Sequence, residues 1–437
     1  MRSLVAVLLL AACGDDGVTP ADAPIDAAVD AAVDASTRIH VFVHFADRSP
    51  ASGIVVVFHS ATGQPVQSTT TDSEGLASVD STAVTMVTVA AYDPTSDQRE
   101  LYTYVGLPQG GTVHTFLGFG GATSPPASQI GTLAVTFPPN APSGTNVWNF
   151  DINCANTSVA SPATFAMDVF SNCRRPNSNL VDAIAYALEN ATLVGYLPVL
   201  GIDVAATGST PVDLSTQTWR TDFLDYELTV SNMPAGATSA RPQVTLDVKG
   251  AGYARPSPPA SPVAQGEGIT RTFRLPRDFG TSMYPTTEVY YGETSPRGLG
   301  LYARKKAIGD SDSIDANASL LPRILTTATT GRDSVRPRVS WTTAGSEVGA
   351  DLGIATLSWA NATWAMHFPP TTVSPLQVPL LPDALAAFRP PTDNTVDESA
   401  FVVFYDADYI DGYAAFLATE NPTRPDTYVE RSTRYPL

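Results

Sequence analysis

Histidine, cysteine and clustered carboxylates are the side chains through which this chain could do chemistry, and it places them sparingly. Four of its five histidines, His40, His44, His59 and His114, lie in the first third, and His367 stands alone downstream. His40 and His44 are four apart within the alternating run Ile39, Val41, Val43, Phe45. In a strand both point away from that apolar face, so they read as solvated or edge imidazoles. As metal ligands they would need a third partner, and the surrounding sequence offers none. There is no Gly-x-Ser-x-Gly elbow and no His-Glu-x-x-His helix, so neither a hydrolase serine nor a zinc-protease signature is present.

Two further groupings carry chemical meaning. Asp406, Asp408 and Asp411, followed by Gly412, sit between the apolar arms 401–405 and 413–417. Calcium loops alternate carboxylates and use Gly for the sharp turn. Here the third Asp falls one residue late and no Glu closes the loop, so a solvated hairpin turn is preferred to a calcium site. Asp310, Asp312, Asp315 and Asn317 are similar but lack the Gly. No cofactor other than calcium is suggested. Trp359 and Trp364 flank Ala360–Thr363, which reads as a four-residue hairpin loop that sets the indoles across from each other on one face. An exposed pair could stack on a sugar. Sharing that face with Leu357, Met366 and Phe368, the pair reads first as core. A glycosidase needs only two well-placed carboxylates, and the abundant Asp and Glu leave that chemistry open.

Strands must position these groups. The 437 residues are 43% hydrophobic, with 36 Pro and 31 Gly, and long amphipathic helical patterns are nearly absent. That combination predicts an all-β chain of several β-sandwich modules. A net charge of −18 excludes nucleic acid as a partner, since phosphates require clustered Lys and Arg. Residues 14–37 form an acidic spacer in which Asp22, Asp26, Asp30 and Asp34 would stack like charges on a helix. A small sandwich is expected over 38–118, a linker over 119–129, a second β domain over 130–239 and a larger one over 240–437. The proline-rich stretch Ala251–Gln265 reads as a long loop or a domain junction. Val181–Leu188 fits helix or strand, and the Asn190-Ala191-Thr192 turn tips it to a hairpin.

The first residues, MRSLVAVLLLAACGDD, set a basic Arg2 before an apolar core from Leu4 to Ala12, too short to span a bilayer. Leu10-Ala11-Ala12-Cys13 resembles the lipobox of bacterial lipoproteins. The resemblance implies that Cys13 is lipidated and becomes the mature N-terminus, with several acyl chains giving a stable tether. Gly14 after it implies the outer membrane. With Cys13 given to lipid, Cys154 and Cys173 remain as one pair, and in an exported protein they are expected to form a disulfide.

Downstream, Gly53-Ile54-Val55-Val56-Val57, Gly63-Gln64-Pro65-Val66 and above all Thr71-Asp72-Ser73-Glu74-Gly75-Leu76-Ala77 resemble carboxypeptidase regulatory-like modules. This implies a transthyretin-like sandwich in an accessory role. The His-x-x-Glu of a metallocarboxypeptidase is missing. The expected function is non-enzymatic binding, structural or adhesive work at the cell envelope. Its partners would be the lipid bilayer, through acylated Cys13, and a glycan or an envelope protein. The alternative is a carbohydrate-active hydrolase using carboxylates that the sequence does not single out.

Overall fold

Burial alternates along the strand Arg38–His44, with Ile39, Val41 and Val43 fully buried, and this period-two pattern recurs through most of the chain. The computed structural model describes residues 38–119 and 129–436, apart from 153, 162–163, 176–177, 179, 191, 206–207, 249–250, 255–258, 293–297, 398–399 and 421–423. Cys13 and the acidic spacer 14–37 lie outside the described residues, as does most of the expected linker.

The protein is an all-β assembly of sandwiches. In the first, the sheet Leu76–Asp80, Arg38–His44, Thr112–Phe116 packs on the strands Pro65–Thr70, Val55–His59, Met86–Asp93 and Gln98–Val105. The Thr71–Gly75 turn has a clear cause. Asp72 Oδ1 accepts from the N–H groups of Glu74 and Leu76 at 2.9 Å, and Gly75 takes a φ of 73°. Thr71 Oγ1 accepts from Ile54 N and donates to Ala51 O, which fixes where the turn sits.

The second sandwich sets Ala155–Val159, Val147–Ile152, Leu180–Glu189 and Thr192–Asp203 against Phe165–Phe170, Gln129–Thr136 and Ser209–Asp213. Cys154 and Cys173 are joined in it as a disulfide with Cα atoms 4.9 Å apart. The 180–203 hairpin is present, and its ambiguous sequence now has a reason. Val181, Ala183, Ala185 and Ala187 face the second core, while Ile184, Tyr186 and Leu188 face the third. A strand buried on both faces loses the alternation that would identify it.

The third sandwich contains Ile269–Pro276, Phe223–Ser231 and Ser311–Asp315 opposite Ala237–Val248, Ser282–Tyr291 and Gly298–Ala307. Thus Phe223–Ser231, grouped by sequence with the residues before 239, pairs with strands that follow. The described parts of the proline-rich stretch include two short strands. Ala251–Ala254 and Ser261–Pro262 both pair with 237–248, at the sheet edge where proline is tolerated.

The fourth sandwich sets Ile324–Thr330, Arg338–Thr343 and Leu376–Gln377 against Ala362–Phe368, Leu352–Trp359, Phe401–Ala407 and Tyr428–Tyr435. Its ends are not free. Tyr428–Tyr435 pairs antiparallel with 298–307 of the third sandwich, and Ala362–Phe368 pairs parallel with 98–105 of the first. A single 13-stranded sheet therefore runs through the third, fourth and first sandwiches. No helix among the described residues is long and apolar enough to cross a membrane.

Residues 413–417, expected as a hairpin arm, are helical instead: the helix spans Gly412–Ala418. Tyr413 and Leu417, four apart, lie on one side of it and enter the core of the first sandwich together with Leu352. The expected solvated hairpin turn over 406–411 is therefore corrected: Asp406 and Ala407 are buried in the strand Phe401–Ala407, and only 408–411 connect it to this helix.

Candidate functional site

On the even-numbered face of strand 38–44 Arg38 is exposed and His40 and Phe42 are half-buried, but His44 is buried. Strand 112–116 runs parallel to it, placing Phe42 beside His114 and His44 beside Phe116. The four rings stack along the sheet: Phe42 on His114 at 5.0 Å, His44 on Phe116 at 5.0 Å and His44 on His114 at 5.5 Å. His44 is only 7% exposed, so its expected place at a wet edge is corrected. Its Nε2 lies 3.2 Å from Nδ1 of His114, and its own Nδ1 has no hydrogen-bond partner among the described residues.

A third donor comes from the far end of the chain. Glu420 lies two residues beyond the 412–418 helix, and a carboxylate oxygen and one nitrogen from each histidine all fall within 4.8 Å of one another. The helix is held in three ways. Buried Asp351 accepts from Ala407 N at 2.8 Å and Gly412 N at 3.0 Å, Tyr413 donates to the His367 carbonyl at 2.9 Å, and Leu417 is buried. Burial raises the Asp351 carboxyl above its ordinary range, with its two N–H donors opposing.

Beside these residues lies a cavity of about 290 Å³ lined by Tyr102, Tyr104, His114, His367, Phe416 and Glu420 among others. His367 stacks on Tyr104 at 4.7 Å, and burial pushes its imidazole down to about 4. Burial, and then the neighbouring His44, lowers His114, against the pull of Glu420. Burial also raises both phenols, Tyr104 to about 12, while Tyr102 donates to Glu100 at 2.8 Å. At neutral pH the walls therefore present uncharged imidazoles and phenols. Such a pocket offers lone pairs and ring faces.

The sequence-predicted groups fare differently. Trp359 and Trp364 share a face with ring centroids 6.3 Å apart, but they are 6% and 0% exposed. The pair is core packing, as its face-mates imply, and the alternative of a ligand platform is set aside. The loop is also shorter than expected: Trp359 pairs with Ala362 and Trp364 with Leu357, leaving a two-residue turn. Asp406, Asp408 and Asp411 do not converge. Asp406 is buried and engaged by Arg431, whose Nε donates at 2.8 Å, while Asp408 and Asp411 are exposed. The calcium alternative at these three carboxylates is not assembled, because Asp406 is already engaged by the Arg431 guanidinium. In the second cluster, Asp312 pairs with Lys306 and Asp315 caps a short helix.

Sequence reasoning missed the proximity of His114 and Glu420 to His44. Alternation of buried Val113 and Thr115 could have placed His114 on the outer face. The parallel pairing that brings it to His44 has no local signature, and neither does Glu420.

No protein-family model matches this chain, and no curated protein matches it. Among solved structures it is similar to the Bacillus anthracis TIE protein, at 9% identity and a TM-score of 0.15, over 64% of this chain and 49% of that one. It is also similar to E. coli alpha-2-macroglobulin in its native conformation, at 10% identity and a TM-score of 0.13, over 88% of this chain and 26% of that one. The pilus adhesin SpaC from Lactobacillus rhamnosus GG gives 9% identity and a TM-score of 0.13, over 76% and 43%. The chain thus spans about half the length of the first of these and about a quarter of the second. Similarity this low carries no argument about what the chain does.

Proposed function

We propose that this chain is an outer-membrane lipoprotein, tethered through acylated Cys13, whose linked sandwiches do binding or structural work at the cell envelope. The observation that supports a structural role most directly is the 13-stranded sheet, which continues through three sandwiches by unbroken strand pairing. Backbone hydrogen bonds across each seam make the sandwiches resist bending as a unit, which suits presenting or spacing a partner. The Cys154–Cys173 bond fits an oxidising compartment. The leader and lipobox residues supply the address, the acidic spacer 14–37 supplies reach, and the Thr71–Gly75 turn supports kinship with regulatory-like accessory modules. The partner class is an envelope protein or a glycan.

The test is chemical and cellular. Mass spectrometry of the mature product should find diacylglycerol on the thiol of Cys13, and Cys13→Ser should move the protein from the membrane to the soluble fraction. A bare thiol, or an uncleaved leader in the cytosol, overturns the placement. Polysaccharide cleavage by the purified chain overturns the non-enzymatic reading.

A further inference from the structure

We propose that His44, His114 and Glu420 form a divalent transition-metal site of the zinc type that fastens the helix 412–418 of the fourth sandwich to the outer face of the first. This goes beyond the envelope reading and does not depend on it.

The donor geometry comes first. Two imidazole nitrogens bound to one tetrahedral zinc, each at about 2.0–2.1 Å, stand about 3.3 Å apart. Nε2 of His44 and Nδ1 of His114 stand 3.2 Å apart. A His–His hydrogen bond has the same length, so distance alone does not decide. Convergence does. The Nε2 of sequestered His44 meets only another imidazole, and one nitrogen from each histidine and a carboxylate oxygen of Glu420 lie within 4.8 Å of one another.

The third donor fits as well. Glu420 is exposed, so its carboxylate can swing in from within 4.8 Å without disturbing the core. Among the described residues no other group of three or more His, Cys, Asp or Glu side chains converges this way. Two imidazoles and a carboxylate suit zinc and its neighbours, whereas calcium requires oxygen ligands alone. The cavity abuts His114 and Glu420, which leaves room at a fourth position for water or an exchangeable ligand. His44 and His114 belong to the first sandwich and Glu420 follows a helix of the fourth. A bound ion would therefore clip the two together.

The experiment uses the purified, metal-free mature chain titrated with zinc alone against a competing chelator, and with Co²⁺ to reveal coordination by its visible absorption. One ion per chain and a tetrahedral cobalt spectrum are expected. Glu420→Gln alters an exposed side chain, so its fold is expected to be intact, and it should weaken zinc by at least about tenfold. His114→Ala should abolish the cobalt spectrum, and His40→Ala should leave both readouts unchanged. Zinc should also raise the unfolding midpoint of the wild type and not that of Glu420→Gln. Failure of the folded wild type to take up zinc overturns the site. So does zinc binding left undiminished in both Glu420→Gln and His114→Ala, which would place the ion elsewhere.

Discussion

The indole N–H of Trp364 donates to the hydroxyl of Thr103 at 2.8 Å, joining the fourth sandwich to the first across 261 positions of sequence. Thr103 lies 2.8 Å from Thr88, and Thr88 lies 2.9 Å from Nε2 of His59. His59, Thr88, Thr103 and Trp364 are all fully buried. A polar chain therefore threads a seam that is otherwise apolar, and the indole N–H of Trp364 finds its partner only when the two sandwiches are in register. Around it Val57, Ala90 and Leu101 of the first sandwich enter the core of the fourth, while Leu352, Tyr413 and Leu417 enter the core of the first.

Trp364→Phe removes the donor and shrinks the ring. It is expected to cost about 2–4 kcal/mol, combining a lost buried hydrogen bond with a small cavity. Thr103→Val should cost about 1–3 kcal/mol because it orphans the indole N–H. Because the two groups bond each other, the double variant should be less destabilised than the sum of the two. Urea unfolding of the four proteins measures the coupling, and strict additivity would deny the interaction.

Residues 38–119, expressed alone, should fail to form a stable fold. The fragment would expose Val57, Ala90 and Leu101 and lose the three side chains it borrows, the burial of each Val or Leu among them being worth about 1.5–3 kcal/mol. That loss is comparable with the whole stability of a typical domain, about 5–15 kcal/mol. It would also leave the 98–105 edge unpaired. Circular dichroism and amide exchange should report a molten or aggregating chain, rescued by adding residues 321–436. A cooperative, protected fragment would contradict the shared core.

The turn that carries the next prediction was visible in the sequence as Gly63-Gln64-Pro65, but its reason was not. Gly63 has φ of 74°, and a Cβ there would lie 2.7 Å from Nη2 of Arg336 and 3.1 Å from Cα of Pro379. Arg336 in turn donates to the carbonyls of Thr62 at 2.9 Å and Val378 at 3.0 Å. Gly63→Ala should therefore destabilise by more than the usual cost of a positive φ, about 1–2 kcal/mol. The excess should shrink in Arg336→Ala, which removes the Nη2 contact, and a remainder should persist from the approach to Cα of Pro379. Thermal unfolding of the single and double variants reads this directly.

Local signals in this chain are reliable where one face of a strand is wet. Ile39, Val41 and Val43 announced their strand, and Asp72 with Gly75 announced a turn whose hydrogen bonds are now explicit. Strand 180–189 was ambiguous because both its faces are covered. Helix 412–418 was read as an arm because a short apolar run with two buried positions four apart fits either period. The imidazole pair was illegible for another reason. His44 and His114 are 70 positions apart, and a parallel register between strands is set by the whole sandwich.

Reducing or removing the Cys154–Cys173 bond should cost about 3 kcal/mol, the chain-entropy value for closing a loop of roughly 20 residues. Cys173 is buried in the second core, so the paired Cys→Ala variant tests the crosslink more cleanly than Ser. The effect should appear in the unfolding of the second sandwich. An unchanged midpoint with and without reductant would mean the crosslink contributes nothing.

Acid should weaken the seam before it weakens the rest. Burial, with the Arg336 charge acting in the same direction, pushes the His59 imidazole from its ordinary 6.5 down to about 4. An unfolded chain takes up this proton near 6.5, while the folded chain resists it until about 4. Between those values the unfolded state binds more protons, so stability must fall as pH drops through the window. A shift from 6.5 to about 4 corresponds to about 3 kcal/mol once pH is below both values. His367, also pushed down to about 4 by burial, adds a contribution of the same sign. His59→Gln keeps a polar group near Thr88 but cannot titrate. Its urea midpoint should decline less steeply from pH 7 to pH 4 than that of the wild type, even if it starts lower. Parallel declines would show that His59 is not a buried neutral group, and the polar chain that ends on Trp364 would lose its first link.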